Sequence, residues 1–398
     1  MRPFTSTIPF TDALKIALDA TQPVTRTEHI PITAADGRVA AHDVLSPLEV
    51  PPFDRAAMDG YAVRAADVQP GATLTCIGHV FTGEVFSGEL RAGECIEIAT
   101  GAPMPAGADA VVMVEETEPA GANAVRFKAA AKEKQNIGRR GADIGLGMNV
   151  VSTGDVLTPS RIGALAATGH RSVEVLARPT VAVLSTGNEV IEPGQPLPPG
   201  HIYDVNRYTL ESIVRQHGGV ARALPPCGDT LDDLLNALDA ASSSDLIVFS
   251  GGSSVGDRDL ARDAIALRGQ MLFHGIAVKP GKPTAFAQLT SGVNFLGMPG
   301  NPTSCLSNAY ILLIPILRKL AGLPAWEPRT LVVPLAKKIT SSSDRHQFYT
   351  VRIVNGEAHP AFKGSGDITS MAHADGYMEI PASTPSIEAG TMVQVTLF

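Results

Sequence analysis

The chain has 398 residues, of which 44% are hydrophobic and 18% charged, a composition typical of a globular protein with roughly two to four domains. Its formal net charge of −8 argues against nonspecific binding to nucleic acid. The four cysteines include no Cys-x-x-Cys pair, so we expect neither a zinc knuckle nor a disulfide framework, and a cytoplasmic location. The first residues lack the apolar core of a signal peptide. The longest strongly apolar run, residues 311–317, is too short to cross a membrane.

The first part of the chain predicts two helices separated by short strands. Residues 11–20 and 160–168 predict helices, the first from the helical spacing of its apolar side chains, and we expect both to belong to one discontinuous linker domain. Residues 61–143 consist of short strands broken by glycine and proline, which predicts a small all-β domain. Asp59 and Gly60 form a turn pair just before it. Taken alone, Asp59 is better interpreted as a turn residue than as a catalytic one.

From Thr180 onward the pattern changes to alternating strands and helices, which predicts an α/β domain. Residues 181–184 predict a strand that ends in the motif STGNEV, and residues 208–216 and 231–241 predict helices. After Pro324 short strands return. They predict a small C-terminal β domain.

The strand predicted at residues 246–249 leads into a glycine-rich loop of sequence SGGSSVGDRD. Glycines let backbone N–H groups approach a ligand closely. The residues that this loop offers to a ligand are Gly251, Gly252, Ser253, Asp257 and Asp259. The loop neither ends in Gly-Lys-Ser/Thr nor has G-x-G-x-x-G spacing, so it matches neither stock nucleotide-binding motif.

A second loop, GMPGNP, follows another short apolar run. Asn301 is a good N-cap and Pro302 a good first helical residue, so we expect a helix from there to about Leu320. Between the two loops, Lys279 and Lys282 flank a stiff Pro-Gly turn. One such loop is an ordinary α/β connection. Two loops, two lysines and two aspartates together favour a site for an anion and a metal.

Eight motifs follow one another along essentially the whole chain: PPFDRAAMDGYAV, IATGAPMPAGADAVV, RRGADI, STGNEV, YDVNRYTL, SGGSSVGDRD, KPGKP and GMPGNPTS. In this order they resemble the molybdopterin molybdenumtransferase family, which includes the bacterial MoeA proteins and the E domain of gephyrin. The resemblance implies a homodimer and a multidomain α/β and β fold with a central α/β domain like that of molybdopterin-binding proteins. The implied domains are a discontinuous linker (1–50 and 144–178), a small β domain (51–143), the α/β domain (179–326) and a C-terminal β barrel (327–398).

The reaction implied by the resemblance inserts molybdate into the dithiolene of adenylylated molybdopterin, releases AMP and uses Mg²⁺. Cleaving a phosphoanhydride beside a dianion requires a metal and lysines to neutralise charge more than it requires a nucleophilic side chain. The implied partners are those two substrates, with molybdopterin adenylyltransferase and the molybdoenzyme targets left open. No nucleic acid or membrane partner is expected.

The resemblance also implies roles for individual residues. The catalytic residues are Asp59, Glu189, Asp229, Asp259, Lys279 and Lys282. Oxygen ligands suit Mg²⁺, and the expected metal ligands are Asp229, Asp257 and Asp259. The expected substrate-binding residues are Thr100, Asp143, Gly251, Gly252, Ser253, Ser304, Arg352 and Ser370. Which carboxylates bind the metal and which position water is left open.

Three residues depart from the family pattern. Ala56 and Val205 replace serines, and Asn188 replaces an aspartate beside Glu189. They bear on fine specificity rather than on the reaction class.

Three alternatives stay open: an adenylyltransferase that loads AMP onto molybdopterin, a non-catalytic dimeric scaffold like the gephyrin E domain, and the use of tungstate instead of molybdate.

Overall fold

The computed structural model describes residues 7–228, 230–251, 260–341 and 344–398. The chain forms two compact units. The larger unit contains Gly37–Val39, Leu176–Phe398 and the chain up to Glu28, and the smaller unit contains His29–Asp36 and Ala40–Val175. The four domains implied by the family resemblance remain a prediction.

The smaller unit is built on a six-stranded sheet, which confirms the predicted β organisation of this region. In sheet order its strands are Ala110–Met113, Gly60–Val63, Glu94–Ile98, Thr73–Val80, Ala124–Phe127 and Thr117–Gly121. Successive side chains of a strand point to opposite faces, so Ile96 packs in one apolar cluster and Cys95 in another. The sheet is therefore buried on both faces.

The remaining elements of this region are short, apart from one helix. Thr158 caps the helix Pro159–Ala167 by accepting a hydrogen bond from Arg161 N, and Gly169 follows with φ +82°. This helix confirms the second predicted helix. The other strands are Thr27–Pro31, Val44–Leu45, Arg55–Ala56, Ile137–Gly138, Asn149–Val151 and Ser172–Leu176. Short 3₁₀ turns occupy Ile32–Ala34, Ala65–Asp67 and Val114–Glu116.

The larger unit contains the α/β fold that the sequence predicts. Its sheet has the order Val220–Ala223, Thr180–Ser185, Leu246–Ser250, Asn294–Met298, Ala285–Leu289 and Gly269–His274. The first four strands are parallel, and the last two are antiparallel to their neighbours. The central strands are apolar and fully buried, as expected when helices cover both faces of a parallel sheet. The helices are Phe10–Asp19, Asn206–Gln216, Leu231–Ala241 and Leu260–Arg268.

The helix predicted from Asn301 to about Leu320 is present, with one irregular turn. It consists of Pro302–Asn308, a π-helical turn at Ala309–Leu313, and Ile314–Leu320. Pro315 has no N–H, and its ring conflicts with the carbonyl of Ile311 in a regular α-helix. A local wide turn accommodates such a proline without ending the helix.

The C-terminal part of the larger unit is a second six-stranded sheet. Its main path is Val278–Lys279, His346–Val354, Gly376–Ile380, Met392–Leu397 and Thr330–Pro334, and Glu357–Pro360 pairs with His346–Val354. The remaining elements are Val190–Ile191, Ile202–Tyr203, Ile339–Thr340, Ser386–Ile387 and the helix Thr369–Ala372. Lys279 therefore lies on a strand that joins the C-terminal sheet. Along the ranges described above, no helix is both long and apolar enough to span a membrane.

A buried histidine predicts that the larger unit loses stability in acid. His217 is 8% exposed, its ring centroid lies 4.9 Å from that of Trp326, and its Nδ1 has no hydrogen-bond partner among the described residues. Burial, and secondarily the charge of Arg318, lowers the pKa of His217 to about 4. Since the unfolded chain binds this proton near pH 6.5, stability is retained above that pH and is lost as the pH falls towards 4.

We expect the free energy of unfolding to fall by about 2 kcal/mol more between pH 7 and pH 5 in the wild type than in His217→Phe. Trp326 is the single tryptophan and lies against the histidine, so its fluorescence during urea unfolding reports this region. If the free energy of unfolding fell equally in the two proteins between pH 7 and pH 5, the pKa of His217 would not be lowered by folding.

Candidate active site

A cavity of about 860 Å³ lies at the carboxyl ends of the parallel strands in the larger unit. Thr186, Gly251 and Pro299, which follow three neighbouring strands, all line it. Open α/β sheets bind their ligands at this edge. The predicted loops STGNEV and GMPGNP thus contribute to one cavity together with Ser250 and Gly251, and residues of YDVN add another wall.

Buried hydrogen bonds fix these loops relative to one another. The Asn206 side-chain N–H donates to Ser250 Oγ at 2.7 Å and to the Gly300 carbonyl at 2.8 Å. Ser185 Oγ donates to Asp204 Oδ2 at 2.8 Å. The motif YDVN therefore ties together the ends of three strands, which keeps the cavity in one shape.

Glycine is required where the first loop leaves its strand. Gly251 has φ +114°, and a Cβ there would lie 2.6 Å from the Thr186 carbonyl oxygen. Glu189, a predicted catalytic residue, lines the same cavity, and its carboxylate lies over Gly187. The cavity therefore has a carboxylate, the kind of oxygen donor that Mg²⁺ takes.

The two predicted lysines flank a rigid turn beside the cavity. Lys279 and Lys282 are partly buried, and the Lys279–Pro280 peptide bond is cis. The buried Asn308 donates to the Gly281 carbonyl at 2.9 Å and lies where a Gly281 Cβ would be. Pro283 lines the cavity, which places Lys282 next to a cavity residue.

Three of the predicted substrate-binding residues, Ser304, Arg352 and Ser370, have different surroundings. Ser304 is 3% exposed and lines the cavity. Ser370 is fully buried, and its hydroxyl accepts a hydrogen bond from Lys363 N at 2.9 Å. Arg352 is exposed on the strand His346–Val354, opposite His359.

The loop before Ser370 is held against the start of the long helix. Asn301 donates to Ser365 Oγ at 3.1 Å, and Thr303 Oγ1 donates to the Asp367 carbonyl at 2.7 Å. Gly366 lines the cavity with Asn301. The C-terminal part of the larger unit thus contributes to the cavity wall.

In the smaller unit, Asp59 and Thr100 lie together. Asp59 Oδ1 accepts hydrogen bonds from Thr100 N at 2.6 Å and Thr100 Oγ1 at 2.8 Å, and both residues are exposed. The backbone bond, and then the hydroxyl bond, lowers the pKa of Asp59. Asp59 is therefore an exposed, ionised carboxylate held in one orientation.

Asp143 lines a different cavity of the smaller unit, of about 390 Å³, together with Met148 and Ser160.

Five predicted residues lie outside the described residues: Asp229, Gly252, Ser253, Asp257 and Asp259. Within the part of the chain that the structure describes, no three His, Cys, Asp or Glu side chains form a metal-binding group. The metal ligands therefore remain a prediction.

Sequence reasoning missed Asp204, Asn206 and Asn308. The first two belong to YDVNRYTL, one of the motifs that carry the family resemblance. The two asparagines bond partners far away in the chain, Gly300 for Asn206 and Gly281 for Asn308, and Asp204 accepts from Ser185 and Arg207. The motif was a usable signal for the first two, whereas Asn308 lies in an apolar helix without a local signal.

Together these features define a multidomain α/β and β protein with a ligand cavity at the carboxyl edge of its parallel sheet. Three family models match consecutive parts of the chain: "MoeA N-terminal region (domain I and II)" at residues 8–169, "Probable molybdopterin binding domain" at 182–319 and "MoeA C-terminal region (domain IV)" at 332–398.

Individual relatives also place the chain in this family. A "Molybdopterin molybdenumtransferase 2" of Mycobacterium tuberculosis is 35% identical over 94% of this chain and 95% of its own length. A "Molybdopterin molybdenumtransferase" of Haemophilus influenzae is 39% identical over 76% and 75%. The crystal structure of a molybdopterin biosynthesis MoeA protein from a Pyrococcus species is similar with a TM-score of 0.85 and 36% identity, over 98% of this chain and 99% of that one. The chain belongs to the molybdopterin molybdenumtransferase family, which confirms the resemblance and the fold class.

Proposed function

We propose that this protein is a molybdopterin molybdenumtransferase, which inserts molybdate into adenylylated molybdopterin and releases AMP during molybdenum cofactor biosynthesis. The observation that carries the proposal is the cavity of about 860 Å³, most of whose lining lies in the region matched as a molybdopterin-binding domain. Glycine-rich loops, the Glu189 carboxylate and Pro283, which follows the lysine turn, line a space of the size that small-molecule sites require.

The chemistry assigns each group a role. Molybdate and the phosphoanhydride are anions, so Lys279 and Lys282 neutralise charge as AMP leaves. Ser304, Arg352 and Ser370 donate hydrogen bonds to molybdate. Asp59 acts as an ionised carboxylate, Thr100 and Asp143 bind substrate, and Gly251, Gly252 and Ser253 bind substrate as well.

Mg²⁺ fits the oxygen donors available. Glu189 lines the cavity. In the sequence, Asp229 comes after the strand Val220–Ala223, and Asp257 and Asp259 come after the strand Leu246–Ser250 of the same sheet. When bound, the metal would neutralise phosphoryl oxygens and orient the leaving group.

The assembly and its setting belong to the same proposal. We expect a cytoplasmic homodimer, with the four domains given above, that receives its substrate from a molybdopterin adenylyltransferase and serves molybdoenzymes. Sedimentation of the purified chain tests the dimer, and a monomer at micromolar concentration would contradict it.

The deciding experiment measures AMP release from adenylylated molybdopterin with and without molybdate, and again with tungstate. We expect release that depends on the oxyanion. Formation of adenylylated molybdopterin from molybdopterin and ATP would favour the adenylyltransferase alternative. No AMP release with any oxyanion would favour the scaffold.

The metal assignment makes a separate prediction. Asp257→Asn and Asp259→Asn should each raise the Mg²⁺ concentration for half-maximal AMP release by about tenfold or more, because each removes an oxygen ligand. Asp263→Asn, on the exposed face of the following helix, is the matched control and should leave the metal dependence unchanged. Wild-type metal dependence in both loop variants would contradict the assignment.

A further inference from the structure

One buried carboxylate of the cavity has no cationic partner. Asp204 is 8% exposed, and its two oxygens accept one hydrogen bond each, from Ser185 Oγ at 2.8 Å and from Arg207 N at 3.0 Å. In the described ranges, no lysine, arginine or histidine forms an ion pair with it, and the Arg207 guanidinium pairs instead with Glu192 and Glu211. Burying a carboxylate is costly unless donors surround it. This one lines the cavity of about 860 Å³, where a ligand can supply them.

The carboxylate has acceptor capacity to spare. An ionised carboxylate offers about four lone-pair sites, and the protein uses one on each Asp204 oxygen. The remaining sites suit two N–H donors side by side, since paired donors bind a carboxylate in bidentate geometry. A ligand edge with two adjacent N–H groups therefore fits the Asp204 carboxylate.

Three apolar or aromatic side chains that are close to Asp204 in the sequence line the same cavity. Leu197, Ile202 and Tyr203 line it and remain 46%, 57% and 40% exposed. The Tyr203 hydroxyl donates to the Gln195 carbonyl at 2.9 Å, so the phenol is held by its own segment. Exposed apolar and aromatic side chains beside a buried polar group suit a flat heteroaromatic ring.

We propose that Asp204 recognises the N–H edge of the pterin ring of the substrate, while Leu197, Ile202 and Tyr203 cover the ring. The pyrimidine part of a pterin presents an exocyclic amino group next to a ring N–H, which matches the two carboxylate oxygens. The adenine of the AMP moiety presents a single amino group between acceptors and matches less well. Asp204 is then a specificity residue, and this inference depends on the proposed function for the presence of a pterin.

Wild-type protein provides the first test, by calorimetric titration with free pterin, with lumazine and with AMP. Lumazine has the same bicyclic ring with the amino group replaced by a carbonyl oxygen, which would face the carboxylate. We expect lumazine to bind at least about tenfold more weakly than pterin, because one donor is lost and an acceptor is opposed to Asp204.

Asp204→Asn provides the second test, since it keeps the size of the side chain and removes its charge. We expect it to weaken pterin binding about tenfold or more and to reduce the difference in affinity between pterin and lumazine. The affinity for AMP should stay within about twofold of the wild-type value. Asp232→Asn, on the exposed first turn of the helix Leu231–Ala241, is the matched control. Thermal unfolding checks the fold, and if Asp204→Asn does not fold, the wild-type comparison decides alone.

Several outcomes would overturn the inference. They are equal affinities of the wild type for pterin and lumazine, the absence of pterin binding, and loss of AMP rather than pterin binding in Asp204→Asn. These titrations need no turnover. An enzyme that releases AMP but does not distinguish the two rings would refute this inference alone, and a pterin-selective protein without AMP release would refute the proposed function alone.

Discussion

Replacing Lys282 or Lys279 with alanine is expected to lower AMP release at limiting molybdate by about a hundredfold. Lys282 precedes the cavity residue Pro283, and Asn308 holds the turn between the lysines by bonding the Gly281 carbonyl. A positioned cation that meets charge developing in the transition state contributes far more than a surface charge does. The measurement is the initial rate of AMP release against molybdate concentration.

The fold should survive these changes, because a partly exposed lysine contributes little to stability. Lys337→Ala is the matched control, since Lys337 is exposed in the same unit and should leave the rate unchanged. Lys282→Arg keeps the charge and should recover part of the activity if charge rather than shape matters. Normal turnover at low molybdate in both alanine variants would exclude the lysines from the reaction.

The lysine turn illustrates how much of the site could be predicted from the sequence. The spacing of Lys279 and Lys282 across Pro-Gly is local, and so are the strand at Leu246–Ser250 and the start of the helix at Pro302, although the Asn301 side chain makes no capping bond there. Each depends on a few consecutive residues whose propensities agree with the final fold. Because parallel strands end at the same edge of a sheet, the meeting of their loops was predictable as well.

The contacts that give the site its shape were not predictable in this way. Asn206 bonds Gly300, which is 94 residues away, and Asn308 bonds Gly281. Nothing in the residues around either asparagine indicates these partners, since the pairing depends on the packing of whole elements. Arg352 and Ser370 were named from the resemblance alone, because single residues on a strand or a short helix carry no local signal of function.

Asp59 shows a case in which the local interpretation was incomplete. Asp59-Gly60 was predicted as a turn, which is a sufficient explanation of the sequence, and a catalytic role came only from the resemblance. The structure adds the two hydrogen bonds from Thr100, which lies 41 residues away. They hold an exposed carboxylate in one orientation, and no described lysine, arginine or histidine forms an ion pair with it. Asp59 is therefore more than a turn former.

Asp59→Asn is expected to reduce kcat/KM for AMP release by about a hundredfold, with little change in the unfolding temperature. The substitution keeps the shape of the turn and removes the charge. Because the hydrogen bonds from Thr100 lower the pKa of Asp59, the wild-type carboxylate stays ionised through the neutral range and should add no step to the pH–rate profile there. Thr100→Val removes only the hydroxyl bond and leaves the backbone bond, so we expect a smaller loss, about tenfold.

The matched control for Asp59 is Asp36→Asn, which changes an exposed aspartate of the same unit and should leave kcat/KM unchanged. A purely structural turn residue would behave differently from a catalytic one, because its loss would lower the unfolding temperature before it lowered the rate. Asp59→Asn with wild-type kcat/KM would therefore restore the interpretation of this residue as a turn former. A large loss of rate in a protein that unfolds at the wild-type temperature would establish that Asp59 contributes a charged group to the reaction.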